Sequence, residues 1–245
     1  MVPTTLSACL PTLGDSRRRQ VLVVGPEGAG KTALVYRLKL PKVPWQDRSG
    51  GGMNRLLAEL KHSPTMGEGH DRLQDPSPYH YEEFSTRGEM YGMWDLSGRK
   101  SMRRLWAATY RYMTMGACIF VVPGEPPEQE DPIQIAEQSS MLHTLLNEDE
   151  LRDSAFVLLV NPKHGLEGFP EGDNPVEMRR RYRQLFKLGT EQLHKSHRCT
   201  PPKVEVFVMN IATMPRPADA DPVWREISEH IGTHQKFYGK HSVVA

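Results

Sequence analysis

The stretch QVLVVGPEGAGKT, residues 20–32, decides the fold. An apolar run ends at Val24, and a glycine-rich turn then leads to Lys31 and Thr32 with the spacing G-x-x-x-x-G-K-[ST]. Glycines let the backbone turn tightly and bring its N–H groups onto phosphate oxygens, and the following helix offers its N-terminus to the same anion. A strand before the turn and a helical period after it favour a phosphate cradle over a chance glycine-rich turn.

Apolar runs and helical segments alternate along the rest of the chain. Continuous apolar runs predict buried parallel strands at 20–24, 117–122, 155–160 and 204–209. A strand pair is predicted at 79–84 and 89–95, and helices at 32–40, 102–113, 133–146, 175–188 and 222–231. This order predicts an α/β domain with a doubly wound, mostly parallel sheet and helices on both faces. Its ligand site should lie beyond the carboxyl ends of the strands.

The composition narrows the classes of partner and compartment. The 245 residues carry a formal net charge of +1. This charge is too small for a positive electrostatic field that would attract nucleic acid, so nucleic acid is not predicted as a partner. Three cysteines, Cys9, Cys118 and Cys199, are far apart and odd in number, which indicates a reducing compartment without a disulfide framework. No apolar run is long enough to cross a bilayer, and the N-terminus lacks the apolar core of a signal peptide.

The chain divides into three parts. Residues 1–19, which end in a run of three arginines, predict a flexible N-terminal extension. Residues 20–235 form the predicted nucleotide-binding domain, with an insertion at about 41–62. Residues 236–245 are assigned to a C-terminal tail.

Four further motifs follow the glycine-rich turn. They are SPTMG (63–67), MWDLSGRKSMRRLW (93–106), LLNEDELRDSAFVLLVN (145–161) and MNIAT (209–213). In this order they resemble switch I, switch II, the stretch that leads into the guanine motif, and the guanine loop of the ADP-ribosylation factor (Arf) family. The chain is therefore identified as a divergent Arf-like small GTPase with the P-loop small-GTPase fold, a resemblance that covers about 20–231 except the insertion.

The resemblance implies a site for GTP or GDP with Mg²⁺. Lys31 would contact the β and γ phosphates, and Gly98 would present its N–H to the γ-phosphate. Thr32 and Thr65 would bind the metal through their hydroxyls, and Asp95 through water. The implied nucleotide-binding residues are Gly25, Pro26, Glu27, Gly28, Ala29, Gly30, Lys31, Thr32, Thr65, Gly98, Asn161, Lys163, His164 and Ala212.

Hydrolysis is left open by one departure from the family pattern. Arf proteins have a glutamine that orients the attacking water, and this chain has Arg99 at that position. A guanidinium only donates hydrogen bonds, so it cannot accept from water as a glutamine amide does. Arg99 could stabilise phosphate charge or be a solvated surface side chain. Ser97 also replaces the first glycine of the family's Gly-Gly pair.

Guanine selection and partner surfaces depart as well. The family motif Asn-Lys-x-Asp becomes Asn161-Pro162-Lys163-His164, so the carboxylate that accepts from guanine is replaced by an imidazole, and weaker guanine selectivity is predicted. Ala212 could keep a contact from its N–H to the base. Glu68 replaces an aromatic residue of the effector surface, and Val2 removes the N-myristoylation signal.

Two other clusters have simpler interpretations. HKSHRC (194–199) resembles part of a metal site but lacks a fourth ligand. Four arginines, at 179–181 and 183, form a basic helix face, and most such faces are solvated.

These patterns predict a Mg²⁺-dependent GTP switch with impaired hydrolysis that acts in intracellular vesicle trafficking. Its predicted partners are guanine nucleotide, effectors and regulators such as an exchange factor and an activating protein. The predicted location is cytoplasmic, with peripheral contact to an endomembrane but no N-myristoylation. The main alternative is an interaction module that binds nucleotide weakly or not at all, and a third is a P-loop kinase or ATPase.

Overall fold

Six strands form a single sheet in the order β2-β3-β1-β4-β5-β6. The structure is a computed structural model that describes residues 18–39, 79–162, 174–188, 203–215 and 218–238. The strands are β1 (Arg18–Val24), β2 (Tyr79–Thr86), β3 (Glu89–Leu96), β4 (Ala117–Pro123), β5 (Ala155–Asn161) and β6 (Val204–Val208). All neighbours run parallel except β2 and β3, which form an antiparallel hairpin.

The helices connect these strands. They are α1 (Lys31–Lys39), α2 (Trp106–Tyr110), α3 (Pro132–Leu146), α4 (Pro175–Leu185) and α5 (Pro222–Tyr238). Three helix starts are set by side-chain caps that satisfy otherwise unpaired backbone N–H groups. Asp131 accepts from the amide of Ile133 at α3, Asn174 from two amides at α4, and Asp221 from the amide of Trp224 at α5.

Apolar side chains cover both faces of the sheet. Along β1, Val21 and Val23 point to one face, and Leu22 and Val24 point to the other, as the two-residue period of a strand requires. Buried residues of α1 and α5 pack on the first face, and buried residues of α2, α3 and α4 pack on the second. The predicted doubly wound α/β fold is therefore confirmed.

Two element bounds differ from the sequence prediction at the ends of the domain. β1 begins at Arg18, so it includes the last two residues of the predicted extension 1–19. Arg18 pairs with Glu83 and Arg19 with Glu89, at 2.9 Å for the second pair, and these partners hold the basic residues beside the hairpin. α5 runs to Tyr238, three residues into the predicted tail 236–245. The rest of the extension and the insertion at 41–62 lie outside the described residues.

The segment predicted as one helix over 102–113 is shorter. It begins with a 3₁₀ turn at Arg103–Leu105 and continues as the five residues of α2. Side chains in this segment bond back to carbonyl groups just upstream, which favours a compact turn over a longer regular helix.

Candidate nucleotide-binding site

The glycine-rich turn lies at the carboxyl end of β1, in the middle of the sheet. β1 is flanked by β3 on one side and β4 on the other, so this is the point at which the strand order reverses. Gly25, Gly28 and Gly30 have φ values of 139°, 73° and 101°, a region that L side chains rarely adopt. A Cβ on Gly25 would lie 2.1 Å from the carbonyl oxygen of Val121 on β4. The sequence therefore needs glycine here for conformation and for close packing.

Lys31 is buried in the turn and keeps capacity for a ligand. Lys31 is only 6% exposed, and its Nζ donates to the carbonyl oxygens of Gly25 (3.1 Å) and Pro26 (2.8 Å). An ammonium group has three protons, so one remains for another acceptor. Burial lowers the pKa of Lys31 to about 8, although the charge of Asp95 opposes this shift. A buried cation without full compensation favours an anionic ligand such as phosphate.

Thr32 and Asp95 are brought together by the register of the sheet. Asp95 on β3 lies opposite Val23 on β1, and the Thr32 hydroxyl donates to its carboxylate. Burial raises the pKa of the Asp95 carboxyl, while the hydrogen bond from Thr32 and the charge of Lys31 act in the opposite direction. A hydroxyl and a carboxylate are the oxygen ligands that Mg²⁺ uses together with phosphate and water.

Two of the three predicted Mg²⁺ ligands, Thr32 and Asp95, are therefore adjacent in the described chain. Thr65, the other predicted hydroxyl ligand, lies outside the described residues. Within the described ranges no group of three or more His, Cys, Asp or Glu side chains forms a metal cluster. The Thr32–Asp95 pair fits a metal that takes its remaining ligands from phosphate and water, which is how Mg²⁺ is usually bound.

Gly98 packs directly on the glycine-rich turn. A Cβ at this position would lie 2.5 Å from both the Glu27 nitrogen and the Gly25 carbonyl oxygen, so only glycine fits. Trp106 Nε1 donates to the Ser97 carbonyl at 2.9 Å, and Arg103 Nε donates to the Gly98 carbonyl at 2.9 Å. Because a peptide unit is planar and trans, a bond to the Ser97 carbonyl also sets the direction of the Gly98 N–H on the opposite side.

Trp106 and Arg103 were not predicted as site residues. Their positions in the sequence motif are consistent with a helix surface, and only the turn of the chain after Asp95 brings them back to these carbonyls. A hydrogen-bond donor five residues after Gly98 or nine residues after Ser97 carries no sequence signal by itself.

Arg99 points to the glycine-rich turn and is not a freely solvated side chain. Its Nε lies 3.3 Å from the Glu27 carboxylate, and the arginine side chain is 30% exposed. The position predicted for the water-orienting group is therefore occupied by one half of an ion pair with the cradle itself. The sequence identified Glu27 and Arg99 separately but carried no signal that they are partners.

The base side of the site is organised by Asn161. Its Nδ2 donates to the carbonyl of Ala29 at 3.0 Å, and its Oδ1 accepts from the amide of Ile211 at 3.1 Å. The residue is 5% exposed, and its Nδ2 would lie 2.6 Å from a Cβ on Gly30. Asn161 therefore joins the phosphate turn to the loop after β6.

Ala212 already has a partner for its amide. The N–H of Ala212 donates to Asn210 Oδ1 at 3.0 Å, and the N–H of Thr213 donates to the same oxygen at 3.3 Å. Asn210 thus caps the 3₁₀ turn at Ile211–Thr213. A contact from Ala212 to a base requires this cap to open. Lys163 and His164, the other predicted base contacts, lie outside the described residues.

The predicted basic face of α4 is paired within the domain. Three arginines contact a glutamate from another part of the chain, in the pairs Arg179–Glu226, Arg181–Glu130 and Arg183–Glu205, and Arg180 contacts Glu177 one turn earlier on the same helix. These contacts agree with the interpretation of the basic run as an ordinary charged surface. The HKSHRC segment lies outside the described residues.

Comparisons with known proteins converge on one group. The model of the ADP-ribosylation factor family matches residues 59–177. ADP-ribosylation factor-like protein 1 of Saccharomyces cerevisiae is 28% identical over 148 residues, which are 60% of this chain and 62% of that protein. The match therefore spans less than two thirds of that relative.

A solved structure shows the same fold. The Arl6 BBS3 small GTPase from Trypanosoma brucei, with the bound nucleotide analogue GppNp, matches with a TM-score of 0.52 at 17% identity. The match covers 89% of this chain and 98% of the other. Among the helices in the described ranges, none has the length and apolar character needed to cross a membrane.

Proposed function

We propose that this chain is a member of the ADP-ribosylation factor family, whose model matches residues 59–177, and that it is a Mg²⁺-dependent guanine-nucleotide switch with slow hydrolysis. The observation that carries the proposal is the buried Lys31, whose ammonium keeps one proton beyond the two held by turn carbonyls. Thr32 and Asp95 would hold Mg²⁺, directly and through water. The bound metal would neutralise charge on the phosphates.

Slow turnover follows from the chemistry of Arg99. Orienting an attacking water needs a group that accepts from the water, and a guanidinium has only donors. In single-turnover assays we expect wild-type protein to retain GTP, and Arg99→Gln to hydrolyse it faster. If wild type hydrolyses as fast as Arg99→Gln, this residue does not occupy the water-orienting position.

The phosphate contacts and the base contacts are proposed to differ in strength. The imidazole of His164 accepts at most one hydrogen bond where the family has a carboxylate, so we expect GTP to be preferred over ATP by less than in a typical small GTPase. Competition by unlabelled ATP and xanthosine triphosphate measures this preference. A GTP preference of many orders of magnitude, unchanged in His164→Asp, would require another acceptor for the base.

A second candidate is an interaction module that has lost the nucleotide cycle. It is favoured by the ion pair between Arg99 and Glu27 and by the capped amide of Ala212, because both groups have partners inside the protein. A P-loop kinase or ATPase is the third candidate.

One titration separates the three candidates. Purified protein is titrated with fluorescent GTP and ATP analogues, with and without Mg²⁺. GTP-selective binding supports the switch, the absence of binding supports the interaction module, and ATP preference supports the kinase or ATPase. Lys31→Ala serves as the matched protein with an impaired cradle.

The cellular part of the proposal rests on the family. We propose action in vesicle trafficking in the cytoplasm, with peripheral endomembrane contact, and with an effector, an exchange factor and an activating protein as partners. Fractionation of cells that express wild-type protein or Lys31→Ala tests this. Membrane recovery of wild type above that of Lys31→Ala is expected, and equal recovery in the soluble fraction would contradict the membrane contact.

A further inference from the structure

Four cations follow Asp95 in the segment that packs on the glycine-rich turn, and two of them share an anchor away from the turn. Lys100 Nζ lies 3.1 Å from the Glu137 carboxylate on α3, and Arg103 bonds to the same carboxylate. Arg103 and then Lys100 lower the pKa of Glu137, as expected for a carboxylate that serves two cations. Arg99 instead contacts Glu27 inside the turn at 3.3 Å. The segment thus separates a cation that faces the phosphate site from cations that tie it to α3.

The starting point of the Arg99 side chain is fixed by the backbone. Trp106 and Arg103 hold the carbonyls of Ser97 and Gly98, at 2.9 Å each. Gly98 itself lies so close to the turn that a Cβ would be 2.5 Å from the Glu27 nitrogen. Arg99 follows this contact directly, so its side chain starts within reach of the turn, and Glu27 is the partner it meets there.

Glu27 is an acidic side chain in a loop that should hold phosphate. A carboxylate near a terminal phosphate repels it, and a guanidinium paired with that carboxylate cancels much of the repulsion. Arg99 directly follows Gly98, the residue predicted to meet the γ-phosphate, so a β-phosphate would lie farther from the pair and be affected less, because Coulomb energy falls with distance. The ion pair therefore acts mainly on the terminal phosphate.

We infer that Glu27 and Arg99 together set the preference of this protein between nucleoside triphosphates and diphosphates. Glu27 disfavours the terminal phosphate, and Arg99 neutralises Glu27 and can transfer its contact to that phosphate. This inference rests on the proposed function. It also gives a reason for an arginine at this position that is independent of hydrolysis, because the arginine compensates an acid in the turn.

The expected effect is moderate because the pair is partly exposed. The side chains of Arg99 and Glu27 are 30% and 64% exposed, so solvent screens their charges. Changes of up to about fivefold in affinity are typical for ion pairs of this kind.

The test is a double-mutant cycle on the full chain. Affinities for GppNHp and GDP, both with Mg²⁺, are measured for wild type, Glu27→Gln, Arg99→Gln and the double variant. Glu27→Gln is expected to tighten GppNHp about threefold to fivefold, and Arg99→Gln to weaken it by a similar factor, with GDP changed much less. The double variant should return to within about twofold of wild type, since both charges are removed together.

Matched controls separate this from a general charge effect. Lys100→Gln removes the same charge one residue further along, from a side chain that faces α3. Glu205→Gln and Arg183→Gln break an ion pair of 3.2 Å between β6 and α4, whose arginine is about as exposed as Arg99. None of these three variants should change the ratio of GppNHp to GDP affinity.

Three results overturn the inference and are distinguishable. In the first, wild type binds nucleotide and Lys31→Ala does not, but Glu27→Gln and Arg99→Gln both have the wild-type ratio of GppNHp to GDP affinity. The inference then fails and the proposed function stands. If wild type binds no nucleotide, both fail. Equal tightening of GppNHp and GDP by Glu27→Gln also overturns it, because the pair then acts on all phosphates alike.

Discussion

The phosphate side and the base side of the site differ in how much of their hydrogen-bonding capacity remains. On the phosphate side, Lys31 keeps one ammonium proton for a ligand, and the turn contains three glycines with positive φ, Gly25, Gly28 and Gly30. On the base side, the Asn161 amide spans two loops, and the amide of Ala212 is already bonded to Asn210. The first region therefore keeps hydrogen-bond donors for a ligand, whereas most donors and acceptors of the second region are bonded within the protein.

If the proposed function holds, this difference predicts that phosphate binding is kept while base recognition is weaker. The proposed phosphate contacts use backbone geometry and one lysine. The proposed base contacts depend on Asn161 and Ala212, and both residues also make hydrogen bonds within the domain. The following four predictions test this contrast, from the largest expected effect to the smallest.

Lys31→Ala should have the largest effect, on the phosphate side alone. Loss of a charge-assisted contact in a buried cradle should cost about 2–4 kcal/mol of binding free energy, which is roughly one to three orders of magnitude in affinity. Titration with a fluorescent GTP analogue measures it. Lys39→Ala, at the exposed end of the same helix, is the control and should bind like wild type. Equal curves for wild type and Lys31→Ala would contradict the cradle.

Asn161→Ala should affect both sides, because its amide joins them. The substitution leaves the Ala29 carbonyl and the Ile211 amide without their partner, which should lower the free energy of unfolding by about 1–3 kcal/mol. Urea denaturation measures the loss. Asn147→Ala at the exposed end of α3 is the matched control and should change stability much less. A stability loss no greater than in Asn147→Ala would mean that Asn161 contributes only to the base contact.

Raising the pH should weaken nucleotide binding through Lys31. Its pKa in the nucleotide-free protein is about 8, and phosphate charge should raise it in the complex, so binding takes up a proton above that pH. Affinity should be constant below pH 8 and fall by about tenfold per pH unit above it.

The same group has the opposite effect on the stability of the nucleotide-free protein. Because the folded-state pKa of Lys31 is lowered, its charged form destabilises the folded protein below pH 8, and this cost is relieved between about pH 8 and 10. Calorimetric titrations and urea denaturation across this range provide the two measurements. An affinity that stays flat to pH 10 would show that Lys31 does not titrate in the site.

Asn210→Ala should give the smallest effect, on the base side. Removing the cap frees the Ala212 amide for a base oxygen, at a cost of about 1 kcal/mol in stability of the turn. The ratio of GTP to ATP affinity should rise by about twofold to fivefold, the range of one added hydrogen bond. Competition titrations measure the ratio, and Asn174→Ala at the start of α4 controls for the loss of a cap. A ratio unchanged by Asn210→Ala would indicate that Ala212 does not contact the base.

The sequence predicted those parts of the site that depend on local geometry. The spacing of glycines around Lys31 predicts a tight turn between a strand and a helix, and the structure has both at these positions. The apolar run that ends at Asp95 predicts a carboxylate at a strand end, and β3 indeed places it beside Thr32. Such features follow from backbone conformation and strand period, which are properties of short segments.

Other features could not be predicted because they join distant residues. Glu27 and Arg99 are 72 residues apart, and Asn161 and Ala29 are 132 apart, so their contacts depend on the register of the sheet and on packing. The start of β1 at Arg18 depends in the same way on Glu83 and Glu89 of the hairpin.

By itself the sequence determined the glycine-rich turn, the alternation of strands and helices, and the family resemblance, because glycine conformation and apolar period act over a few residues. Only the tertiary structure decided which charged groups meet. It placed Arg99 beside Glu27, and it placed Asn161 where its amide bonds to two different loops. It also brought Trp106 and Arg103 to the carbonyls of Ser97 and Gly98. The physical reason is that hydrogen bonds and ion pairs form only between groups a few ångströms apart. Residues distant in sequence come that close only after the strand order of the sheet is formed.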